Sequence, residues 1–216
     1  MISDKKTLEK VYTARNSEQL MDAYKDWAVH YENDTLGEFG YVAPKATAKT
    51  LHTFAAEADQ RILDAGCGTG LVGQALRELG YAAIDALDYS KEMLDQAAGK
   101  NIYAKHIQAD LRQPLEIPND TYDAVVCTGT FTYGHVDARA FDELIRITKP
   151  QGVIVFTIRD GAYQELGYRK RMIDLELAEA WELLTFHDED YLRAENVICK
   201  MCAYRVLSPD RARQEA

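Results

Sequence analysis

The segment Ile62-Leu-Asp-Ala-Gly-Cys-Gly-Thr-Gly70 limits what this chain can fold into more than any other stretch. Three glycines at alternate positions stand between a short apolar run over 61–65 and a helical stripe of Leu71, Val72, Ala75, Leu76 and Leu79, which Gly80 closes. Without a Cβ, backbone can turn sharply and let a ligand lie almost against it. Strand, glycine turn and helix form the opening unit of an α/β sheet, whose ligands bind at the carboxyl ends of parallel strands.

The alternation continues along the chain. A second strand is expected over 82–88, followed by a helix capped by Ser90 that carries Met93, Leu94 and Ala97 and ends at Gly99. Further strands are expected over 102–109, 122–127 and 153–158, with Phe141, Leu144, Ile145 and Thr148 forming the inner face of a helix between the last two. Near-continuous apolar runs suit strands covered on both faces, so the fold class is α/β, a doubly wound and mostly parallel sheet. A helix over 168–180, a strand over 181–187 and a strand over 197–207 follow without a clear helix between the strands, which allows an antiparallel pair at the end of the sheet. Residues 1–58 read as a helical N-terminal cap, 59–207 as a cofactor-binding domain and 208–216 as a frayed tail. In the cap, Leu8, Val11 and Tyr12 make one stripe, while Leu20, Met21, Tyr24, Trp27, Ala28 and Tyr31 make another that Ser17 is placed to cap. Residues 35–41, with Gly37 and Gly40, read as a mobile connection before a helix opened by Pro44.

Charge narrows the ligand. Gly68-Thr-Gly70-Leu-Val-Gly73 matches the literal G-x-G-x-x-G pattern of dinucleotide sites, where helix N–H groups face a pyrophosphate. Asp64, just before the turn, would oppose a pyrophosphate and suit a cationic sulfonium and α-amino group, although a carboxylate there can also cap turn amides. Asp88, at the end of the second strand, is better placed than Asp85 to accept both ribose hydroxyls, and Tyr89 beside it joins the cofactor residues. Asp110 is placed for an adenine amino group, with Met93 and Leu111 to sandwich the ring; Met93 serves equally as core.

Asp64-Ala-Gly-Cys-Gly-Thr-Gly70, Leu87-Asp-Tyr-Ser90 with Met93-Leu94, Ala109-Asp110, Tyr122-Asp-Ala-Val-Val126 and Lys149-Pro-Gln-Gly152 resemble, in order and spacing, the successive motifs of class I S-adenosylmethionine-dependent methyltransferases over about residues 60 to 160. Tyr24-x-x-Trp-Ala-x-x-Tyr31 and Gly40-Tyr-x-Ala-Pro44 are more loosely similar to the leading segment of the Williams-Beuren syndrome region methyltransferase-like proteins. The resemblance implies a seven-stranded sheet with a reversed terminal strand and S-adenosyl-L-methionine as cofactor. It also implies that Gly66, Gly68 and Gly70 line the cofactor, Asp88 holds its ribose, Asp110 and Leu111 meet its adenine, and Thr128 lies near its methionine part.

A sulfonium is an activated methyl donor, so such a protein must hold an acceptor in line and keep water out. His135, in the loop after the fourth strand beside Thr130, Thr132 and Tyr133, is the candidate base, with an idle loop histidine as the alternative. Tyr133, Tyr41, Arg159 and Tyr163 are candidates for acceptor binding, although Arg159 can equally pair with the neighbourhood of Asp160 or with solvent. Tyr24, Trp27 and Tyr31 are candidates for an aromatic wall over the cofactor, helical spacing of aromatics being equally a mark of core. Cys127-Thr-Gly-Thr-Phe131 stands where nucleic-acid amine methyltransferases resemble one another in an Asp or Asn before Pro-Pro-aromatic, and the formal charge of −10 repels polyphosphate and anionic membranes. A small-molecule acceptor, no long nucleic acid and no membrane partner are therefore expected, with a cytoplasmic location; the acceptor atom and oligomeric state stay open. Cys199-x-x-Cys202 lies on an expected strand, where positions three apart face opposite sides, and no metal site is expected. A nicotinamide-dinucleotide oxidoreductase and a non-catalytic cofactor-binding protein are the competing functions.

Overall fold

The computed structural model describes residues 30–213 together with Gln19, Asp22, Ala23, Lys25, Trp27 and Ala28. Tyr24, Ser17 and the apolar positions Leu8, Val11, Tyr12, Leu20 and Met21 of the expected cap stripes lie outside the described residues.

Seven strands form one sheet: β1 (Arg61–Ala65), β2 (Ala83–Asp88), β3 (Lys105–Gln108), β4 (Tyr122–Phe131), β5 (Thr148–Arg159), β6 (Trp181–Leu192) and β7 (Val197–Val206). Their spatial order is β3-β2-β1-β4-β5-β7-β6. Neighbours from β3 to β5 are parallel, and β7 runs antiparallel to both β5 and β6. The reversed strand is thus the last in sequence but lies inside the sheet, with β6 at the edge. Chain direction reverses its progress across the sheet between β1 and β4, and the crevice at that switch point is where a doubly wound sheet receives ligands.

Strand alternation divides the interior into two cores. Ile62, Ala124, Val126, Val153, Val155, Met201 and Ala203 face α1 (Ala43–Phe54), α2 (Leu71–Glu78) and α3 (Lys91–Gly99). Leu63, Ala65, Val125, Cys127, Ile154, Phe156, Cys202 and Tyr204 face α4 (Ala140–Ile147) and α6 (Tyr168–Leu177). A short α5 (Asp160–Glu165) joins β5 to α6. On the second face Trp181, 1% exposed, stacks on Tyr204 with ring centroids 4.1 Å apart and donates its indole N–H to the Met172 carbonyl at 3.2 Å. A buried indole with its one donor satisfied anchors a core without a polar cost.

Several expected boundaries shift. Residues 33–38 form a π-helix (Asn33–Glu38) rather than a mobile connection, and Thr35, Phe39 and Tyr41 are buried. Local side-chain bonds explain it: the Trp27 indole donates to Asp34 Oδ2 at 2.7 Å, and the Thr35 hydroxyl donates to the Tyr31 carbonyl at 2.6 Å. The third strand shrinks to Lys105–Gln108 because β3 is an edge strand whose residues are largely exposed. β6 runs on past its expected end at residue 187 to Leu192 through a polar stretch, pairing along β7 at the rim of the sheet, where polar side chains face solvent. The expected frayed tail begins with a 3₁₀ helix, Pro209–Arg213, in which Ala212 is buried and its carbonyl accepts from Arg171 at 2.9 Å. All four cysteines are buried thiols.

Candidate active site

The glycine turn docks on the end of β2, where Gly66 and Cys67 donate backbone N–H bonds to the Leu87 carbonyl at 2.7 and 2.9 Å. Gly66 needs its bare Cα, since a Cβ there would stand 2.2 Å from the Thr130 hydroxyl across the switch point. Gly68, at φ +53°, would point a Cβ into open space, and it lines the pocket at the carboxyl ends of the strands. The Gly68 N–H donates to Asp88 Oδ2 at 2.8 Å and the Ser90 N–H to Oδ1 at 2.9 Å, so Asp88 is fixed between the turn and the start of α3. Burial pushes the Asp88 carboxyl above its ordinary range against these donors. A carboxylate has about four acceptor positions, so two held donors leave capacity for a diol.

Of the two roles open to Asp64, the structure shows the amide cap and not contact with the pocket. It is 1% exposed and does not line the pocket; its Oδ2 accepts from the Tyr103 hydroxyl at 2.6 Å and the Gly73 N–H at 3.1 Å. It joins β1 to α2 from beneath the turn, the amide-capping role a short acid can take. Burial pushes its carboxyl up to about 7. Gly73 leaves room for this clamp, since a Cβ there would lie 2.3 Å from the Tyr103 oxygen. Gly70, at φ +93°, opens α2 and packs against the same tyrosine rather than the pocket.

Along the β3 side, Asp110, Leu111, Met93 and Tyr89 line the pocket together, as the adenine reading requires. Burial pushes the Asp110 carboxyl up, but a bidentate bond from Arg112, at 2.8 and 2.7 Å, outweighs it and holds the group below its ordinary range. The Arg112 guanidinium also lies 5.4 Å from the centre of the Tyr89 ring. Met93 is 2% exposed while lining the pocket, so it serves core and wall at once.

The end of β4 supplies Thr128, Gly129, Thr130 and Thr132, with His135 and Val136 beyond. The Thr128 hydroxyl donates to Thr47 Oγ1 on α1 at 2.9 Å. His135 Nδ1 lies 2.8 Å from the Tyr133 carbonyl, an acceptor only, which assigns the proton to Nδ1 and the lone pair to Nε2 in the neutral ring. Burial lowers the His135 pKa below its ordinary value, and Arg112 adds to the effect. Tyr133, Arg159 and Tyr163 do not line this pocket: the Tyr133 hydroxyl donates to Glu165 at 3.1 Å, Arg159 precedes α5 at the end of β5, and Tyr163 packs on Phe186.

Trp27, Tyr31, Phe39 and Tyr41 close the pocket from the cap. Sequence reasoning missed the residue opposite them: Tyr191, near the end of β6, whose ring lies 4.9 Å from that of Tyr41. A Cβ on Gly129 would come 2.8 Å from the Tyr41 hydroxyl and 3.0 Å from that of Tyr191, so the bare Gly129 lets both tyrosines reach the end of β4. The cap is sewn to β6 by backbone bonds from Val42, Arg193 and Ala194, at 3.2 Å each, of which the first two make a bridge between Tyr41 and Leu192. Glu32 ties it to the turn, accepting from the Thr69 hydroxyl at 2.7 Å and pairing with Lys100 at 2.5 Å.

The family described as methyltransferase domain matches residues 62–152. Methyltransferase-like protein 27 of Homo sapiens is 35% identical over 182 residues, covering 81% of this chain and 73% of the relative. A malonyl-[acyl-carrier protein] O-methyltransferase of Buchnera aphidicola is 31% identical over 165 residues, covering 76% of this chain but 64% of its own length. Among solved structures, a SAM-dependent methyltransferase of Leishmania major superimposes with a TM-score of 0.62 at 19% identity, covering 93% of this chain and 90% of that one, a likeness of fold.

Proposed function

Because this chain belongs to the S-adenosylmethionine-dependent methyltransferases, we propose that its pocket receives the cofactor along Gly66, Gly68, Asp88 and Thr128, and that it methylates a small acceptor held between the end of β4 and the aromatic cap. The observation that carries this reading is the pairing of Gly68 with Asp88: a side-chain-free backbone opens on the cavity and holds, through its own N–H, a carboxylate at the end of β2. That combination fits the group, since an adenosyl ligand needs close backbone approach and an acceptor for its ribose hydroxyls.

When bound, S-adenosylmethionine supplies a methyl on a positively charged sulfur, which passes to an acceptor lone pair as the C–S bond breaks, while any acceptor proton leaves to a base. The chain's residues divide the remaining work. Asp88 orients the ribose, Asp110 and Leu111 with Met93 and Tyr89 receive the adenine, and Thr128 borders the methionine part. Trp27, Tyr31 and Tyr41 exclude water and turn aromatic faces toward a cation. His135, neutral with its lone pair on Nε2, takes the acceptor proton. Asp64 acts through the turn it anchors, with no contact to the ligand.

A carrier-bound acceptor is the second reading, favoured by the malonyl-carrier relative. No helix among the described residues is long and apolar enough to cross a membrane.

Calorimetric titration with S-adenosylmethionine, S-adenosylhomocysteine, NAD and NADP tests the site. Binding of the two adenosyl compounds alone is expected, weakened roughly a hundredfold in Asp88→Ala, the value of about two charge-assisted hydrogen bonds. Tighter binding of a nicotinamide nucleotide would overturn it.

A further inference from the structure

On its second face the sheet is covered by helices as far as β7, and β6 lies at the edge of that cover. α6 reaches β7, where Glu176 accepts from the Tyr204 hydroxyl at 3.0 Å, and α5 meets β6 through the Tyr163 ring, 5.3 Å from that of Phe186. Plain strand alternation would send Leu183 and Phe186 to opposite faces. A bulge prevents it: Leu183 lies opposite Tyr204 and Phe186 opposite Cys202, so the two residues between them on β6 meet one on β7. Tyr204 and Cys202 belong to the second core, so Leu183 and Phe186 share its face, while Leu184 turns toward the first core. The two are 46% and 38% exposed.

α6 carries a matching stripe. Tyr168, Met172 and Leu175 bury one side of it, while Arg171 binds Asp142 of α4 on one flank and Glu176 binds Tyr204 on the other. At helical spacing Ile173 and Leu177 fall on the outer side, Ile173 leaning toward the Glu176 flank and β6. They are 45% and 79% exposed. The four side chains adjoin and together expose on the order of a few hundred Å², the size at which a patch marks an interaction site.

The two halves of the patch identify what covers it. In this class of fold a bare strand face is covered by a helix, and the outer stripe of α6 is a helix surface that lacks a sheet. A second copy turned about a two-fold axis along the strands supplies both at once, each α6 lying on the other copy's β6. Such a rotation keeps levels along the strands. Leu177, next to Glu176, then comes level with Leu183, and the basic start of α6 comes level with the far end of β6. Charge fits that placement. At the far end of β6, Lys200 and Arg193 answer three carboxylates, Asp160, Asp188 and Asp190, and a negative charge is left over. At the start of α6, Lys170 pairs with Asp174 and Arg169 adds a second cation.

We propose that the chain forms a two-fold dimer through this surface, with Leu177 of each copy on Leu183 of the other, the two Ile173 side chains meeting at the axis beside Phe186, and Lys170 facing Asp188 and Asp190. Because β6 carries Tyr191 into the pocket wall, the dimer steadies the strand that closes the site.

Sedimentation velocity of the full chain over about 1 to 100 μM tests the proposal. A dimer is expected in that range, and Leu177→Asp weakens it at least about a hundredfold, because symmetry places the buried carboxylate in the interface twice. Leu177 is so exposed within one copy that its substitution spares the fold, which the urea midpoint checks. Cross-linking tests the register independently: Leu177→Cys protein mixed with Leu183→Cys protein is expected to form a disulfide between copies on mild oxidation, while neither links alone. A chain that stays monomeric up to about 100 μM overturns the proposal and leaves the surface to a different protein. A dimer that Leu177→Asp does not weaken, or a cysteine pair that fails to link, overturns it as well.

Discussion

Gly68 and Gly73 both lack a side chain, for opposite reasons. Gly68 faces the open pocket at φ +53°, whereas Gly73 sits inside α2 beneath the Tyr103 hydroxyl. Gly68→Ala is expected to cost about 1 to 2 kcal/mol for the left-handed backbone, and in addition to weaken S-adenosylhomocysteine binding because the methyl stands in the cavity. Gly73→Ala should cost about 2 kcal/mol or more by driving Tyr103 off Asp64, with loss of cofactor affinity only as the turn loosens. Urea unfolding and calorimetry on both variants separate the two: a Gly68→Ala protein that binds like the parent would show that the turn does not face the ligand. The spacing of Gly66, Gly68 and Asp88 was legible in the sequence because each follows from its place at a strand end. The clamp that Tyr103 makes on Asp64 over the bare Gly73 was not, because Tyr103 lies far along the chain in the approach to β3 and its hydroxyl reaches back under the turn. From its place just before the turn Asp64 read as suited to a cation or to capping the turn amides, and its burial away from the pocket leaves it the second.

At the scale of elements, the cap and β6 behave as one piece. Three backbone hydrogen bonds, from Val42, Arg193 and Ala194, cross between them, the first two making the Tyr41–Leu192 bridge. Amide exchange is expected to be as slow at Val42, Arg193 and Ala194 as in β7, because opening the seam must also break the edge contact between Tyr41 and Tyr191. Exchange at these amides orders of magnitude faster than in β7 would show a cap that opens by itself. The glycines at 37 and 40 signalled a loose connection in the sequence, and the side-chain bonds of Trp27 and Thr35 that wind it into a π-helix leave no compositional trace. Tyr191 was invisible for a related reason: it lies in a polar run, and only the pairing of β6 with β7 and the cap carries it to the pocket. The interior strands were legible because burial on both faces makes them continuously apolar.

For the whole molecule, the buried Asp64 couples global stability to pH. With its folded carboxyl raised to about 7 and an unfolded value near the ordinary 3.8, the native state holds a proton through that window which the unfolded chain releases. Its contribution is present below the lower value and is lost as pH rises toward 7. Asp64→Asn is expected to flatten the fall in unfolding free energy over that interval, measured by urea unfolding at a series of pH values; an unchanged slope would place the coupling elsewhere. The doubly wound arrangement itself was legible from the order of strand and helix, and the antiparallel end of the sheet followed from two late strands with no crossover helix between them.

The bridge between Tyr41 and Leu192 also has a consequence for biosynthesis. The glycine turn, Asp88, Asp110 and Thr128 have all been made once synthesis reaches the end of β4, whereas the pocket wall opposite them joins Tyr41 to residues of β6, separated by nearly the whole domain. On the ribosome that wall can therefore close only after β6 has emerged, late in synthesis.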